Sequence, residues 1–280
     1  MNNSDLIYYN FMTKPANHCL DMTDEYYKSC GVSRGNNNGF DISKLKDGDI
    51  IFVKSDYIFN GMFQANYLNS IKTKFILISG VSSYSVDEGV QTYKNILNNE
   101  NLIKWFCTNP PIEKHEKLEW LPIGFEEKER EGGNQELLKS FYKNEYIWED
   151  KKDKIYIPYH GPSHQSRKNN IEIISNLINV EVEKNKLDFT SYLKKMSEYK
   201  FVLSLRGSGW DCHRHYEALL VNSVPIIDGG PIINALIENN LPAINTSDIK
   251  NISYNNLYKF EKEKLLTSYY TDKIFKCQKK

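Results

Sequence analysis

The sequence predicts an α/β protein of two domains, each alternating buried strands with helices. Three observations carry this expectation. Short apolar runs such as IIFV at 50–53 and FILIS at 75–79 recur between turn residues, as in strands buried on both faces. Between them lie stretches whose apolar residues fall at helical spacing. A third stretch, 201–229 (FVLSLRGSGWDCHRHYEALLVNSVPIIDG), reads as strand, glycine turn, helix and strand. Strands alternating with helices call for parallel pairing in doubly wound sheets.

Residues 1–45 are polar, tyrosine-rich and interrupted by Gly31, Gly35 and Gly39, and read as a loosely organised lead-in. The first α/β domain is expected over 46–150. DGDIIFVKSD is a turn and a buried strand ending at Asp56, and IFNGMFQANYLNSI follows as a helix. KFILISG at 74–80 is the second strand. A helix-like VQTYKNILNN after Asp87 leads into the strand LIKWFCTN, with KLEWLPIGF beyond a Pro-Pro loop. Charge dominates 126–154, where Gly132-Gly133 and a surface helix LLKSFYKNEYIWE mark the junction. A second α/β domain is expected over 151–253, opened by the strand KIYIPYHG and a helix led by Arg167, and closed by PIINALIENNLPAINTSDI. The tail 254–280 reads as a charged helix.

Composition narrows the partners. Thirty-six basic and thirty-six acidic residues cancel, so no net field draws the chain to nucleic acid or to an anionic membrane. Five scattered cysteines without a CxxC pair argue against a disulfide framework and a structural zinc site, and fit a reducing compartment. The N-terminus lacks the pattern of a signal peptide, and no apolar run approaches the ~18 residues of a membrane span, so a cytoplasmic location is expected.

The chemistry concentrates in 206–217. A glycine turn, Arg206-Gly207-Ser208-Gly209, followed by a helix starting at Asp211 offers flexible backbone and exposed N–H groups to an anion. Arg206 and Arg214 add positive charge in a geometry suited to phosphate oxygens, and Glu217 offers acceptors to the vicinal hydroxyls of a ribose. Diphosphate and ribose together describe a nucleotide.

The same run, RGSGWDCHRHYEALLVNSVPII, resembles the C-terminal motif of exostosin-like glycosyltransferases, including the Glu-Ala-Leu and Val-Pro-Ile elements of GT-B sugar transferases. The resemblance extends to WFCTN and LPIGF upstream and to the strand before Arg167, covering roughly 49–249. It implies two Rossmann-like domains facing a cleft, the N-terminal one reduced and on the acceptor side, the C-terminal one holding a nucleotide sugar. It further implies an inverting transfer from a nucleoside diphosphate sugar, with UDP as the expected carrier, to a glycan or other hydroxyl acceptor. Glu217 would then bond the ribose, with Arg206, Arg214 and Arg167 facing the diphosphate. Many GT-B enzymes carry an acidic residue eight positions before this glutamate, where this chain has Gly209. That departure keeps open a binding protein without turnover.

Plainer roles compete for several of these residues. Arg214 and Glu217, at i and i+3, could pair on a solvated helix face for ~0.2–0.5 kcal/mol. Asp211 is also placed to cap the helix N-terminus. His213 and His215 point to different faces, and with His160 and His164 they lack the spacing of a metal site. Cys212 reads as a small buried residue. Candidates for the base that deprotonates the acceptor are Asp56, Asp211 and His213. With arginines able to stand in for a cation at the diphosphate, no metal or other cofactor is expected.

Overall fold

A computed structural model describes residues 4–22, 40–85, 92–177, 179–253 and 258–278. The lead-in glycines Gly31, Gly35 and Gly39, the start of the third unit at Asp87 and the start of the tail helix at 254 lie outside these residues. The chain divides into two compact units, Met1–Ile123 with Leu266–Lys280, and Gly124–Leu265. Each contains a five-stranded sheet with parallel pairing throughout.

The first unit runs β1 (His18–Leu20), β2 (Asp49–Lys54), α1 (Ser55–Phe59), α2 (Met62–Asn66), β3 (Phe75–Gly80), α3 (Thr92–Leu97), β4 (Leu102–Cys107) and β5 (Leu118–Trp120). Alternate residues of the central strands, among them Ile51, Val53, Leu77 and Trp105, pack on Ile58, Phe63 and Ile96 of the crossover helices. The intervening Ile50, Phe52, Ile76, Ile78 and Phe106 are equally buried. Two-sided burial explains why these strands read as continuous apolar runs. The strand order is β1-β2-β3-β4-β5. A sequential order contains no reversal, so the doubly wound arrangement expected for this half is not found.

Three local expectations are corrected here. The strand before Asp56 ends at Lys54, and Asp56 lies in the first turn of α1. The helix expected over IFNGMFQANYLNSI is two short ones, because Gly61 takes a left-handed conformation (φ 77°) and starts a new helix. Residues 18–20, inside the expected lead-in, form the edge strand β1, with His18 held by Asp49 at 2.8 Å.

The second unit runs α4 (Gln135–Lys143), β6 (Lys152–Ile157), α5 (Ser166–Ser175), β7 (Val180–Val182), α6 (Phe189–Ser197), β8 (Tyr199–Leu203), α7 (His213–Leu220), β9 (Val224–Ile227), α8 (Pro231–Glu238) and β10 (Ile244–Asn245). Helix α4 ends at Lys143, short of the longer surface helix expected, and Asn134 caps its start by accepting from Glu136 N and Leu137 N. The tail forms α9 (Thr267–Gln278), which packs with β4 of the first unit. Ile155, Ile157, Phe201, Leu203 and Ile226 face one side of the second sheet with Ile174 of α5. The order β10-β9-β8-β6-β7 means that the chain leaves β6, adds β7 on one side and returns to add β8 on the other. The strand order reverses between β6 and β8. In open parallel sheets the crevice at the carboxyl end of such a reversal is where ligands bind.

Candidate functional site

Two loops leave the reversal point, 158–165 after β6 and 204–212 after β8, and Arg167 binds them together. From the second position of α5 its Nε donates to Arg206 O (2.7 Å), one terminal nitrogen to Gly161 O (2.9 Å) and the other to Leu205 O (3.1 Å). The guanidinium is thus spent on backbone carbonyls of both loops, and Arg167 acts as a positioning residue in this structure. Asp228, just past β9, accepts from Arg206 N at 2.8 Å and ties the second loop to the next strand.

The RGSG turn differs from expectation. Neither Gly207 nor Gly209 takes a positive φ, and a Cβ on Gly207 would meet only ordinary contacts. Positive φ angles occur instead at Gly229 and Gly230 (89° and 76°), after β9. Trp210 packs so tightly on Gly230 that a Cβ there would overlap its ring. The Arg206 guanidinium stacks on the other part of this pair, 3.7 Å from the Trp210 ring centroid, and donates to Ser208 O at 3.1 Å. Its Nε is buried without a partner.

Helix α7 begins at His213, with Cys212 in the capping position and no side-chain cap bond. Asp211 is therefore not the cap expected of it. Its buried carboxylate instead accepts the Tyr216 hydroxyl, at 2.9 and 2.7 Å from its two oxygens. His215 is fully buried between Ser204 Oγ (2.7 Å) and Trp210 O (3.4 Å), and burial lowers its pKa. His213 is partly exposed, and its Nδ1 lies 2.7 Å from Gly124 O. Because a carbonyl can only accept, Nδ1 is the donor in this bond.

Arg214 and Glu217 line a cavity of about 430 Å³. Tyr192, on α6, joins them: Arg214 Nε donates to the Tyr192 hydroxyl at 3.1 Å, and that hydroxyl donates to Glu217 Oε2 at 2.7 Å. The other end of Arg214 donates to Tyr159 O at 3.2 Å, in the loop after β6. Glu217 is only 7% exposed. The solvated ion pair is thus replaced by a buried relay, which no spacing rule within one helix could show. Burial pushes the Glu217 carboxyl above its ordinary value, against the opposing pull of Arg214 and of the Tyr192 hydrogen bond. Burial and the neighbouring Glu217 hold Tyr192 protonated, well above the ordinary phenol value.

Next to this cavity lies a second one, about 730 Å³, lined by His160, His164, Arg167 and Lys168 and sharing Tyr159 and Gly161 with the first. His160 Nδ1 donates to Pro158 O at 2.6 Å, while its Nε2 is buried without a partner. Burial, reinforced by the charge of Arg214, lowers its pKa to about 2, so the ring is neutral. Among the described residues no group of three or more His, Cys, Asp or Glu is placed to hold a metal ion, and no helix is long and apolar enough to cross a membrane.

Asp56 belongs to the other unit. Its Oδ2 takes the buried Lys54 Nζ at 2.5 Å, and the same ammonium donates to Val81 O at 2.7 Å. Val81 holds a left-handed φ of 57°, a strained conformation for a β-branched side chain. Arg167, Arg206, Gly207, Ser208, Gly209, Asp211, His213, Arg214 and Glu217 therefore all lie in the loops and helices that follow the neighbouring strands β6 and β8 of one unit. Tyr156, Tyr159, Glu183 and Tyr192, which also line the first cavity, escaped the sequence reading. Tyr156 left one usable signal: it sits between Ile155 and Ile157, whose burial on one face sends it to the other.

No family model matches the chain, and no curated protein does. Among solved structures it is similar to a chain in the crystal structure of the GtfA/B complex, with 10% identity and a TM-score of 0.43. That match covers 85% of this chain and 59% of the other.

Proposed function

We propose that the chain is a glycosyltransferase that moves a sugar from a nucleoside diphosphate to a hydroxyl acceptor with inversion and without a metal ion. The observation that carries this reading is the Arg214–Tyr192–Glu217 relay on the wall of a cavity at the reversal point of a parallel sheet. Tyr192 occupies one Glu217 oxygen, and the other is the acceptor offered to a ribose hydroxyl. Arg214 supplies the positive charge for the leaving diphosphate. Of the three base candidates, His213 is favoured, because it stands at the start of the helix that carries Arg214 and Glu217, with Nδ1 turned to Gly124 O. Asp211 is committed to Tyr216 and Asp56 to Lys54. The resemblance of the 206–227 motif to sugar transferases agrees with these roles.

Thermal melts with nucleoside diphosphates and their sugars test the donor site. Ligand at ~100 times its dissociation constant stabilises the fold by about 2.7 kcal/mol. Glu217→Ala and Arg214→Ala are expected to remove that stabilisation. No response to any nucleotide would sink the reading. A response without sugar hydrolysis or transfer over a broad acceptor panel, both in EDTA and with added Mg2+ or Mn2+, selects the non-catalytic binding protein that Gly209 keeps open, and activity only with the added ions overturns metal independence.

A further inference from the structure

The sequence resemblance implies UDP as the carrier, but the first cavity carries chemistry that the Arg214–Tyr192–Glu217 relay does not use and that uracil does not match. Its walls hold four glutamates, Glu126, Glu131, Glu183 and Glu217, against two cations, Arg214 and Lys186. Such a lining repels phosphate away from Arg214 and Lys186, so the part of the cavity walled by the glutamates suits a neutral group rich in hydrogen-bond donors. An aromatic platform is present as well, since Tyr159 lines the cavity and is 47% exposed.

A second observation fixes the pattern. Tyr156 lines the same cavity, is 0% exposed, and its hydroxyl has no hydrogen-bond partner. Buried hydroxyls are nearly always paired, and an orphan on a cavity wall is a donor waiting for an acceptor. Glu183 stands in the loop after β7, one carboxylate oxygen fixed by Asn185 N at 3.1 Å. Its charge reaches Tyr156: burial, and next the Glu183 carboxylate, hold that phenol above its ordinary value and keep it a donor. The lining therefore holds both an unpartnered donor and a carboxylate acceptor.

We propose that this cavity takes a guanine base, with Tyr156 donating to O6 and the Glu183 carboxylate accepting from N1–H and the 2-amino group. This rests on the nucleotide reading above and narrows it to GDP-linked donors. Guanine alone among the common bases lines up one acceptor and two adjacent donors on its pairing edge. Uracil would turn its second carbonyl oxygen toward the carboxylate, and cytosine and adenine offer an amino group where Tyr156 needs an acceptor. A site built on such buried polar groups rejects bases that leave them unpaired.

The test is calorimetric titration of the full chain with GDP, IDP, UDP, CDP and ADP, repeated for Tyr156→Phe and Glu183→Gln. GDP is expected to bind tightest, and IDP, which lacks only the 2-amino group, about ten-fold more weakly. Each variant is expected to lose about ten-fold for GDP with little change for UDP. Tyr156→Phe should melt no lower than the parent, because the hydroxyl it removes has no partner, so the loss cannot be ascribed to unfolding. UDP binding as tight as GDP overturns the base assignment while leaving the nucleotide site standing. A GDP preference unaltered in both variants also overturns it, and binding of no diphosphate overturns both.

Discussion

Replacing Arg167 by Met separates a frame-building role from a phosphate-binding one. The three hydrogen bonds, at 2.7, 2.9 and 3.1 Å, end on carbonyls of two different loops, so the methionine leaves three acceptors without their partner. A hydrogen bond to a charged group contributes about 1.5–3 kcal/mol when buried. Arg167 is half-buried and water can replace part of what is lost, so about 1 kcal/mol each, or about 3 kcal/mol in all, is the working figure. At this size each kcal/mol moves the melting temperature by roughly 2–4 °C, giving a fall of about 6–12 °C. Differential scanning calorimetry of the parent, Arg167→Met and Arg167→Lys provides the measurement. Lysine, with one ammonium for three carbonyls, should fall between the other two. An unchanged melting temperature accompanied by loss of nucleotide affinity would refute the clamp and return Arg167 to the diphosphate.

Two further predictions follow from buried or strained groups. His160 has its folded pKa lowered to about 2 from 6.5, so below pH 6.5 the unfolded chain binds a proton that the native state does not. Stability is then lost as pH falls from 6.5 toward about 2, with a slope approaching 1.4 kcal/mol per pH unit. His160→Gln should flatten that slope, and equal slopes in urea titrations of both proteins would disprove the assignment. At Val81, where φ is 57°, glycine should be more stable than alanine by about 1 kcal/mol, the reverse of the usual order. An alanine variant that melts higher than the glycine variant would show that the backbone is not strained.

The strands were legible because burial on both faces writes an unbroken apolar run, as in Ile50–Val53 and Phe75–Ile78, and the turn residues mark their ends. The order of strands was not, because nothing in a run of Val, Ile and Phe says which neighbour it will take. The two sheets differ in this respect: the one with β6 beside β8 has a reversal, and the sequential one has none. The motif 206–217 concentrates groups suited to an anion and a hydroxyl, yet its members divide in a way that spacing could not reveal.

What divides them is the partner that arrives from outside the motif. Arg214 and Glu217 keep a face on the cavity because Tyr192, from a different helix, bridges them and holds the carboxylate in place. Asp211 is only two residues before His213, but Tyr216 closes on its carboxylate while His213 turns Nδ1 to Gly124 O. Arg167 has the same guanidinium as Arg214 and spends it on three carbonyls. A residue's type and spacing set what it can bond, and the long-range contacts decide whether that capacity is consumed by the frame or kept for a ligand. The double variant Tyr192→Phe/Glu217→Gln should therefore lose no more nucleotide affinity than either single one, since both act through one carboxylate position. Additive losses in the same titrations would mean that Tyr192 touches the ligand independently of Glu217.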